Sequence, residues 1–115
     1  MSHYKTTNLK SIFTSDFNKC AVTHIYRGAR RIEVHHVYGG ASSRRKRSAE
    51  YAYVIPLVAE IHPNGSAASD KECKRLTGLT LKELDLKLKQ TCQEDFEKRH
   101  GTRESFIELF GRSYL

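Results

Sequence analysis

The sequence predicts a small α+β domain in which a short β-unit is followed by one long and one short C-terminal α-helix. Residues 31 to 37 alternate apolar and polar side chains, which is typical of a half-buried strand, and Tyr51-Ala-Tyr-Val-Ile-Pro56 reads as a second strand. The C-terminal third carries apolar residues at three- and four-residue steps, the period of a helix. With 115 residues, of which 38% are hydrophobic, we expect a single domain with a modest core.

The first half of the chain is expected to form a hairpin followed by a basic loop. Residues 1 to 11 are polar, and we expect them to be loosely held. The segment from Cys20 to Ile25 has β-propensity and would pair with residues 31 to 37 in a hairpin. Gly39-Gly40-Ala-Ser-Ser predicts a flexible turn, and the block of four cations from Arg44 to Arg47 follows it as a basic loop.

The second strand ends in a short helical turn and a long polar loop. Pro56 should lie at the edge or end of its strand, because proline has no N–H to donate to a ladder. Residues 57 to 62 suit a single helical turn that stops at Pro63-Asn-Gly65, a strong turn signal. We therefore assign residues 63 to 78 to a polar loop.

Residues 79 to 115 form the helical brace of the predicted fold. Thr80-Leu-Lys-Glu83 fits a capping box, so a helix should begin there. It would run to Lys98 or Arg99, and its apolar stripe contains Leu81, Leu84, Leu88, Cys92 and Phe96, with Leu86 on the flank. A second helix is expected from residue 102 to residue 110, with Gly111 at its end. Both stripes are expected to pack into the core.

The charge of the chain points to a polyanionic partner. The formal net charge is +7 with histidine neutral, which favours nucleic acid first and an anionic membrane surface second. No apolar run approaches the roughly 20 residues that span a bilayer, so we expect no membrane-embedded segment. The three cysteines lack the spacing of a disulfide framework, which favours a reducing cytoplasm.

Two adjacent histidines, His35 and His36, close the first predicted strand. Neighbouring residues on a strand point to opposite faces, so the two imidazoles cannot share one apolar core. Metal-assisted phosphodiester hydrolysis needs a divalent cation, a general base and basic residues that hold the backbone. One imidazole can bind the metal while the other, with a pKa near neutrality, takes a proton from water; His62 is available as a second ligand. The alternative is that these are ordinary structural or surface histidines.

Three segments together resemble the HNH, or His-Me finger, nucleases, in particular their small phage-type members. They are Glu33-Val-His-His-Val-Tyr-Gly-Gly40, the basic Ser-containing stretch from Arg44 to Glu50, and Tyr51 to His62. The end of the chain, from Phe96 to Leu115, is also similar to the closing segment of such phage proteins. The resemblance covers residues 12 to 115. It implies a ββα-metal unit over residues 12 to 62 and a DNA endonuclease or nickase acting in the bacterial host cytoplasm.

The resemblance also implies a role for each residue of the motif. His35 would be the first metal ligand, His36 the general base and His62 the second ligand of one divalent ion, Mg²⁺, Mn²⁺ or Zn²⁺. The DNA, double-stranded or branched, would be held through its phosphates, with a homodimer or a phage or host protein as a further partner. The residues assigned to the phosphates are Arg31, Arg44, Arg45, Lys46 and Arg47.

Three departures from the family pattern leave the function open. The Asn that supports the base-bearing loop in many members is replaced by Tyr53, and the next ligand position falls on Gly65 or Ser66. Where many members carry a Cys-x-x-Cys pair in the first hairpin, Cys20-Ala-Val-Thr23 keeps one cysteine. Asp70 or Cys73 could complete the ligand set, since an oxygen suits Mg²⁺ or Mn²⁺ and a thiolate suits Zn²⁺. The second function is therefore a non-catalytic nucleic-acid-binding or regulatory protein on a degenerate HNH fold.

Overall fold

The computed structural model describes residues 9 to 115. Residues 1 to 11 were predicted to be loosely held, and residues 1 to 8 of that segment lie outside the described residues. The predicted α+β class is confirmed, with a two-stranded sheet and four α-helices in this range. The elements in chain order are β1 (Ile32–His36), α1 (Ser42–Glu50), β2 (Val54–Val58), a 3₁₀ turn (Ala59–Ile61), α2 (Asp70–Thr77), α3 (Leu81–Arg99) and α4 (Arg103–Phe110).

The sheet pairs β1 with β2 in antiparallel register. His36 lies opposite Val54, and His35 lies opposite Ile55. Pro56 sits in the middle of β2, opposite Val34, where the prediction had placed it at an edge or end. Because this sheet has two strands in the described range, β2 is an edge strand and tolerates a residue without an N–H. The Pro56 carbonyl instead accepts a hydrogen bond from the Ala21 N–H, at 2.9 Å.

The predicted hairpin between residues 20–25 and 31–37 is wrong. The first of these segments folds on itself, with the Cys20 N–H donating to the Ile25 carbonyl at 2.9 Å. His24 adopts a left-handed φ of 64°, which turns the chain back before it can extend as a strand. β1 is left to pair with β2, all of whose residues are buried.

The predicted basic loop is also wrong, because Arg44 to Arg47 lie within α1. This helix has no apolar stripe, and its N-cap residue Ala41 makes no side-chain capping bond, so the sequence carries neither of the usual helix signals. Tertiary contacts hold it instead. Ser48 is its buried residue, and Arg47 Nη1 donates to the Leu109 carbonyl at 2.6 Å, which ties α1 to the end of α4.

The predicted polar loop over residues 63 to 78 contains a helix in its second half. In α2, the Ser69 hydroxyl caps the helix by accepting from the Glu72 N–H at 3.2 Å. Gly78 ends it with a left-handed φ of 81°, a conformation that glycine adopts without strain. The helix is short and mostly polar, and Cys73 is its buried residue. Because the segment is short and most of its residues are polar, the sequence pattern favours a loop.

The two C-terminal helices are confirmed. α3 begins with the predicted capping box, in which Thr80 and Glu83 exchange side-chain and backbone hydrogen bonds. Leu86 is exposed, as expected for the flank. The residues of α3 and α4 that pack into the core are Leu84, Leu88, Cys92, Phe96, Phe106 and Phe110. No helix in the part of the chain that the structure describes is long and apolar enough to cross a membrane.

The core fixes α3 beside the segment that follows β1. Tyr38, two residues beyond β1, is buried and packs its ring against Phe106 and Phe110 at centroid distances of 5.4 and 4.6 Å. Its hydroxyl donates to the backbone carbonyl of Lys89. This hydrogen bond holds the turn of α3 that contains Lys89 at the end of β1, where His35 and His36 lie.

Candidate functional site

A cavity of about 550 Å³ lies at the end of β1 and brings all three motif histidines together. β1 and the turn after it form one wall, α1 and α3 contribute charged side chains, and the segment after the 3₁₀ turn closes another side. The lining side chains that bear on chemistry are His35, His36, His62, Arg44, Arg45, Asp85 and Lys89.

His35 is a buried imidazole with an unsatisfied ring nitrogen. The residue is 7% exposed, and its Nε2 has no hydrogen-bond partner. This nitrogen lies 3.6 Å from Asp85 Oδ1, beyond normal hydrogen-bonding distance. Burial lowers the pKa of His35 below its ordinary value of 6.5, and the attraction of Asp85 only partly offsets that effect. Near pH 7 the ring is therefore neutral, the form in which histidine binds metals.

His62 meets His35 edge to face and is oriented by Glu33. The two ring centroids are 5.0 Å apart, with an interplanar angle of 65°. Glu33 Oε1 lies 2.6 Å from His62 Nδ1, and Arg31 Nη2 lies 2.7 Å from Glu33 Oε2. Because a carboxylate oxygen accepts hydrogen bonds, this contact favours the tautomer of the neutral ring that carries its proton on Nδ1. Nε2 is then the nitrogen with a lone pair, and a carboxylate behind a histidine is the usual support of a metal ligand.

His36 is half-buried beside the other two histidines. Burial is the main cause that lowers its pKa, and the electrostatic effects of His35, Arg45 and His62 lower it further. A neutral imidazole at pH 7 can accept a proton, as a general base must. His35 is buried and His36 is half-buried, and both line the same cavity although they are neighbours on β1.

Ser48 supports the segment that carries His36, and sequence reasoning missed it. Its hydroxyl accepts from the Tyr38 N–H at 3.0 Å and donates to the Tyr38 carbonyl at 2.9 Å, and the residue is fully buried. Tyr53, at the position of the family's Asn, is a core residue whose hydroxyl donates to Asp95 Oδ2 at 2.9 Å. Its backbone carbonyl accepts from the Val37 N–H at 3.0 Å. Loop support therefore comes from Ser48 and from the Tyr53 backbone.

The predicted phosphate-binding residues separate into two groups. Arg44 and Arg45 are exposed on α1 and line the cavity, and Lys46 is exposed next to them. Arg47 is half-buried and committed to the Leu109 carbonyl. Arg31 is 62% exposed and pairs with Glu33. The cationic surface nearest to the histidines is therefore the beginning of α1.

Asp70 and Cys73 do not reach the histidines. Neither lines the cavity. Asp70 Oδ1 accepts from the Leu81 N–H at 2.9 Å, so it joins α2 to α3. Cys73 is fully buried, and burial raises the pKa of its thiol, which disfavours the thiolate that Zn²⁺ requires. Both side chains therefore support the fold and lie outside the cavity.

The described residues supply part of a binding site for a divalent cation. Between residues 9 and 115, no set of three or more His, Cys, Asp or Glu side chains is arranged to hold a metal ion. Two ligand positions are nevertheless well prepared: His35 has an orphaned, buried Nε2, and His62 has its Nδ1 engaged by Glu33. A buried polar atom without a partner is costly, and coordination of a cation would satisfy it.

Sequence reasoning also missed the contribution of α3 to the cavity. Asp85 Oδ2 lies 2.8 Å from Lys89 Nζ, one helical turn further on, and both side chains line the cavity. Burial of Asp85 opposes its ionisation, but the contacts with His35 and Lys89 outweigh burial and lower the pKa of the carboxyl. The sequence signal for this contribution was an acidic and a basic residue four positions apart, each directly after a core leucine.

Comparisons of the chain with protein-family models, with curated proteins and with solved structures find no match. What the cavity can do therefore follows from its own residues and from the motif that resembles the HNH nucleases.

Proposed function

We propose that this protein is a metal-dependent DNA endonuclease or nickase whose active site is the cavity at the end of β1. The observation that carries the proposal is the contact between His35 and His62, whose rings meet at 5.0 Å with the orphaned His35 Nε2 beside them. His36 and the cationic start of α1 line the same cavity. As the resemblance to phage proteins implies, the protein would act in the bacterial host cytoplasm.

His35 and His62 would hold one divalent cation, Mg²⁺, Mn²⁺ or Zn²⁺. The bound cation would offset negative charge on the scissile phosphate and on the leaving oxygen. His35 would coordinate through Nε2, since that atom lacks a hydrogen-bond partner. His62 would use its own Nε2, because Glu33 occupies the Nδ1 side of the ring.

His36 would act as the general base. Its lowered pKa keeps the imidazole neutral at pH 7, so it can accept the proton of the attacking water. The bonds of Tyr38 to Ser48 and of Val37 to Tyr53 fix the backbone directly after it. Because its backbone is fixed, the imidazole would stay in the orientation that accepts the proton, and such positioning increases the rate of hydrolysis.

Arg44 and Arg45 would hold the DNA backbone across the mouth of the cavity. Arginine binds phosphate oxygens through two parallel N–H groups, and Lys46 adds charge on the same exposed helix. The formal net charge of +7 would increase the rate of encounter with DNA. Such contacts set position and salt dependence and carry no sequence preference.

Nicking of supercoiled plasmid tests this proposal. Purified protein should convert supercoiled DNA to open-circular or linear DNA in the presence of Mg²⁺, Mn²⁺ or Zn²⁺, and EDTA should stop the reaction. Absence of cleavage with every metal, for double-stranded and branched substrates alike, would overturn it.

A second candidate function is binding of nucleic acid without cleavage. It is favoured by the absence, among residues 9 to 115, of a set of three ligands already arranged around one point. A gel-shift measurement on the same DNA separates the two functions. Binding without cleavage under all metals would identify a non-catalytic binding or regulatory protein, whereas cleavage that depends on the metal would exclude it.

A further inference from the structure

Helix α3 does more than brace the sheet, because one of its faces reaches the histidine cavity through Asp85 and Lys89. We propose that Asp85 is the third protein ligand of the divalent cation, together with His35 and His62. This inference rests on the proposed function, since it concerns the same cation. It replaces Asp70 and Cys73, which the fold keeps away from the cavity.

The distance between Asp85 and His35 suits two ligands of one ion. Asp85 Oδ1 and His35 Nε2 are 3.6 Å apart, and Nε2 has no hydrogen-bond partner. Two donor atoms that each lie about 2.1 Å from one ion are about 3.4 Å apart at a tetrahedral angle. A carboxylate oxygen and a ring nitrogen that are close together without a hydrogen bond therefore have the spacing of shared ligands.

Lys89 holds Asp85 in this position. Its Nζ contacts Oδ2 at 2.8 Å, so Oδ1 is the oxygen that faces His35. The backbone carbonyl of Lys89 accepts from the Tyr38 hydroxyl, which fixes this turn of α3 to the core. A ligating carboxylate whose second oxygen is held by another side chain is a common arrangement around protein metals.

The resulting ligand set would be two imidazoles and one carboxylate. The described residues do not already arrange these three side chains around one point, so binding of the cation would draw them together. Such a set suits Mn²⁺ or Zn²⁺, leaves positions open for water and substrate oxygens, and is poorly matched to Ca²⁺, which takes six to eight oxygen ligands. The cation would then lie between the end of β1 and helix α3.

Titration calorimetry with Mn²⁺ tests the inference on the full chain. Asp85→Asn keeps the shape of the side chain and removes its charge, and we expect it to weaken Mn²⁺ affinity by about tenfold to a hundredfold. Asp70→Asn is the matched control, because Asn retains the oxygen that accepts from Leu81 N–H. This control should bind Mn²⁺ like the wild type. Circular dichroism melts in EDTA check that both variants fold.

The outcomes separate this inference from the proposed function. If the wild type and Asp85→Asn bind Mn²⁺ equally well, Asp85 is not a ligand, while the metal site of His35 and His62 stands. If the wild type binds none of Mg²⁺, Mn²⁺ and Zn²⁺, both ideas fail. Should Asp85→Asn not fold, Asp85→Ala is used: it removes both carboxylate oxygens, so unchanged affinity in that variant would also overturn the assignment.

Discussion

Glu33 and His62 are joined by a 2.6 Å contact between Oε1 and Nδ1. The contact links β1 to the segment after the 3₁₀ turn, and it turns the other edge of the His62 ring away from Glu33. The ring meets His35 at a centroid distance of 5.0 Å. The pairing of these two residues therefore determines how the second proposed ligand is presented.

Replacing Glu33 should weaken metal binding more than it weakens the fold. Glu33→Gln removes the charged partner of His62 Nδ1, and we expect Mn²⁺ or Zn²⁺ affinity to fall by about tenfold. Glu60→Gln is the control, since Glu60 pairs with Arg30 and does not line the cavity. Calorimetry on both variants checks this; equal affinity for Glu33→Gln and the wild type would show that Glu33 does not support the ligand.

Arg45 and Arg47 should have different effects although they are close together in one helix. Arg45→Ala removes an exposed cation at the cavity, so it should weaken DNA binding and make the slope of log K against log salt shallower by about one unit. Its free energy of unfolding should remain within about 0.5 kcal/mol of the wild type. Fluorescence anisotropy with a labelled duplex at several salt concentrations measures the slope.

Arg47→Ala is the counterpart of that variant. It removes the 2.6 Å hydrogen bond to the Leu109 carbonyl, and we expect it to lower the free energy of unfolding by about 1–3 kcal/mol. Urea unfolding provides the number. A loss of stability in Arg45→Ala with none in Arg47→Ala would reverse the roles given to these two arginines.

Ser48→Ala should destabilise the segment after His36. The substitution leaves the Tyr38 N–H and carbonyl without their buried partner, at a cost of about 1–3 kcal/mol. Ser43→Ala, on the exposed surface of the same helix, should change the free energy of unfolding by less than about 0.5 kcal/mol. Urea denaturation compares the two; similar stabilities would show that the Ser48 hydroxyl is dispensable.

The buried histidines predict a pH dependence of stability in EDTA. The pKa of His35 is lowered in the folded state from 6.5, so the unfolded chain binds a proton first as the pH falls. The free energy of unfolding should therefore decrease as the pH falls below about 6.5, and this decrease should level off below the folded pKa. His36 contributes with the same sign. His35→Gln should reduce the slope between about pH 7 and pH 5; an unchanged slope would contradict the burial effect.

Elements with their own local signals could be predicted from the sequence. The capping box at Thr80 and the apolar stripe of α3 fixed that helix, and alternation identified β1. α1 has no apolar stripe and no cap, because it is held by Ser48 and Arg47 through contacts with distant parts of the chain. α2 had a usable signal in Ser69-x-x-Glu72 and Gly78, but it is short.

The candidate site could be predicted only where its residues belong to one motif. His35, His36 and His62 were assigned together, and the fold brings them to one cavity. Asp85 comes from a helix far along the chain, so its approach to His35 depends on how α3 packs. Asp70 was proposed because it lies close to His62 in sequence, whereas α2 directs it towards the start of α3.

The most direct test of the proposed chemistry compares the same substitution at two histidines. His36→Asn removes the proposed base, and His24→Asn alters an exposed histidine at a left-handed position that Asn tolerates well. Initial rates of plasmid nicking are measured for both variants and the wild type with the most effective divalent metal. We expect His36→Asn to lose about a hundredfold or more of the rate while still binding DNA, and His24→Asn to match the wild type. A His36→Asn variant that nicks DNA at the wild-type rate would contradict the assignment of His36 as the general base.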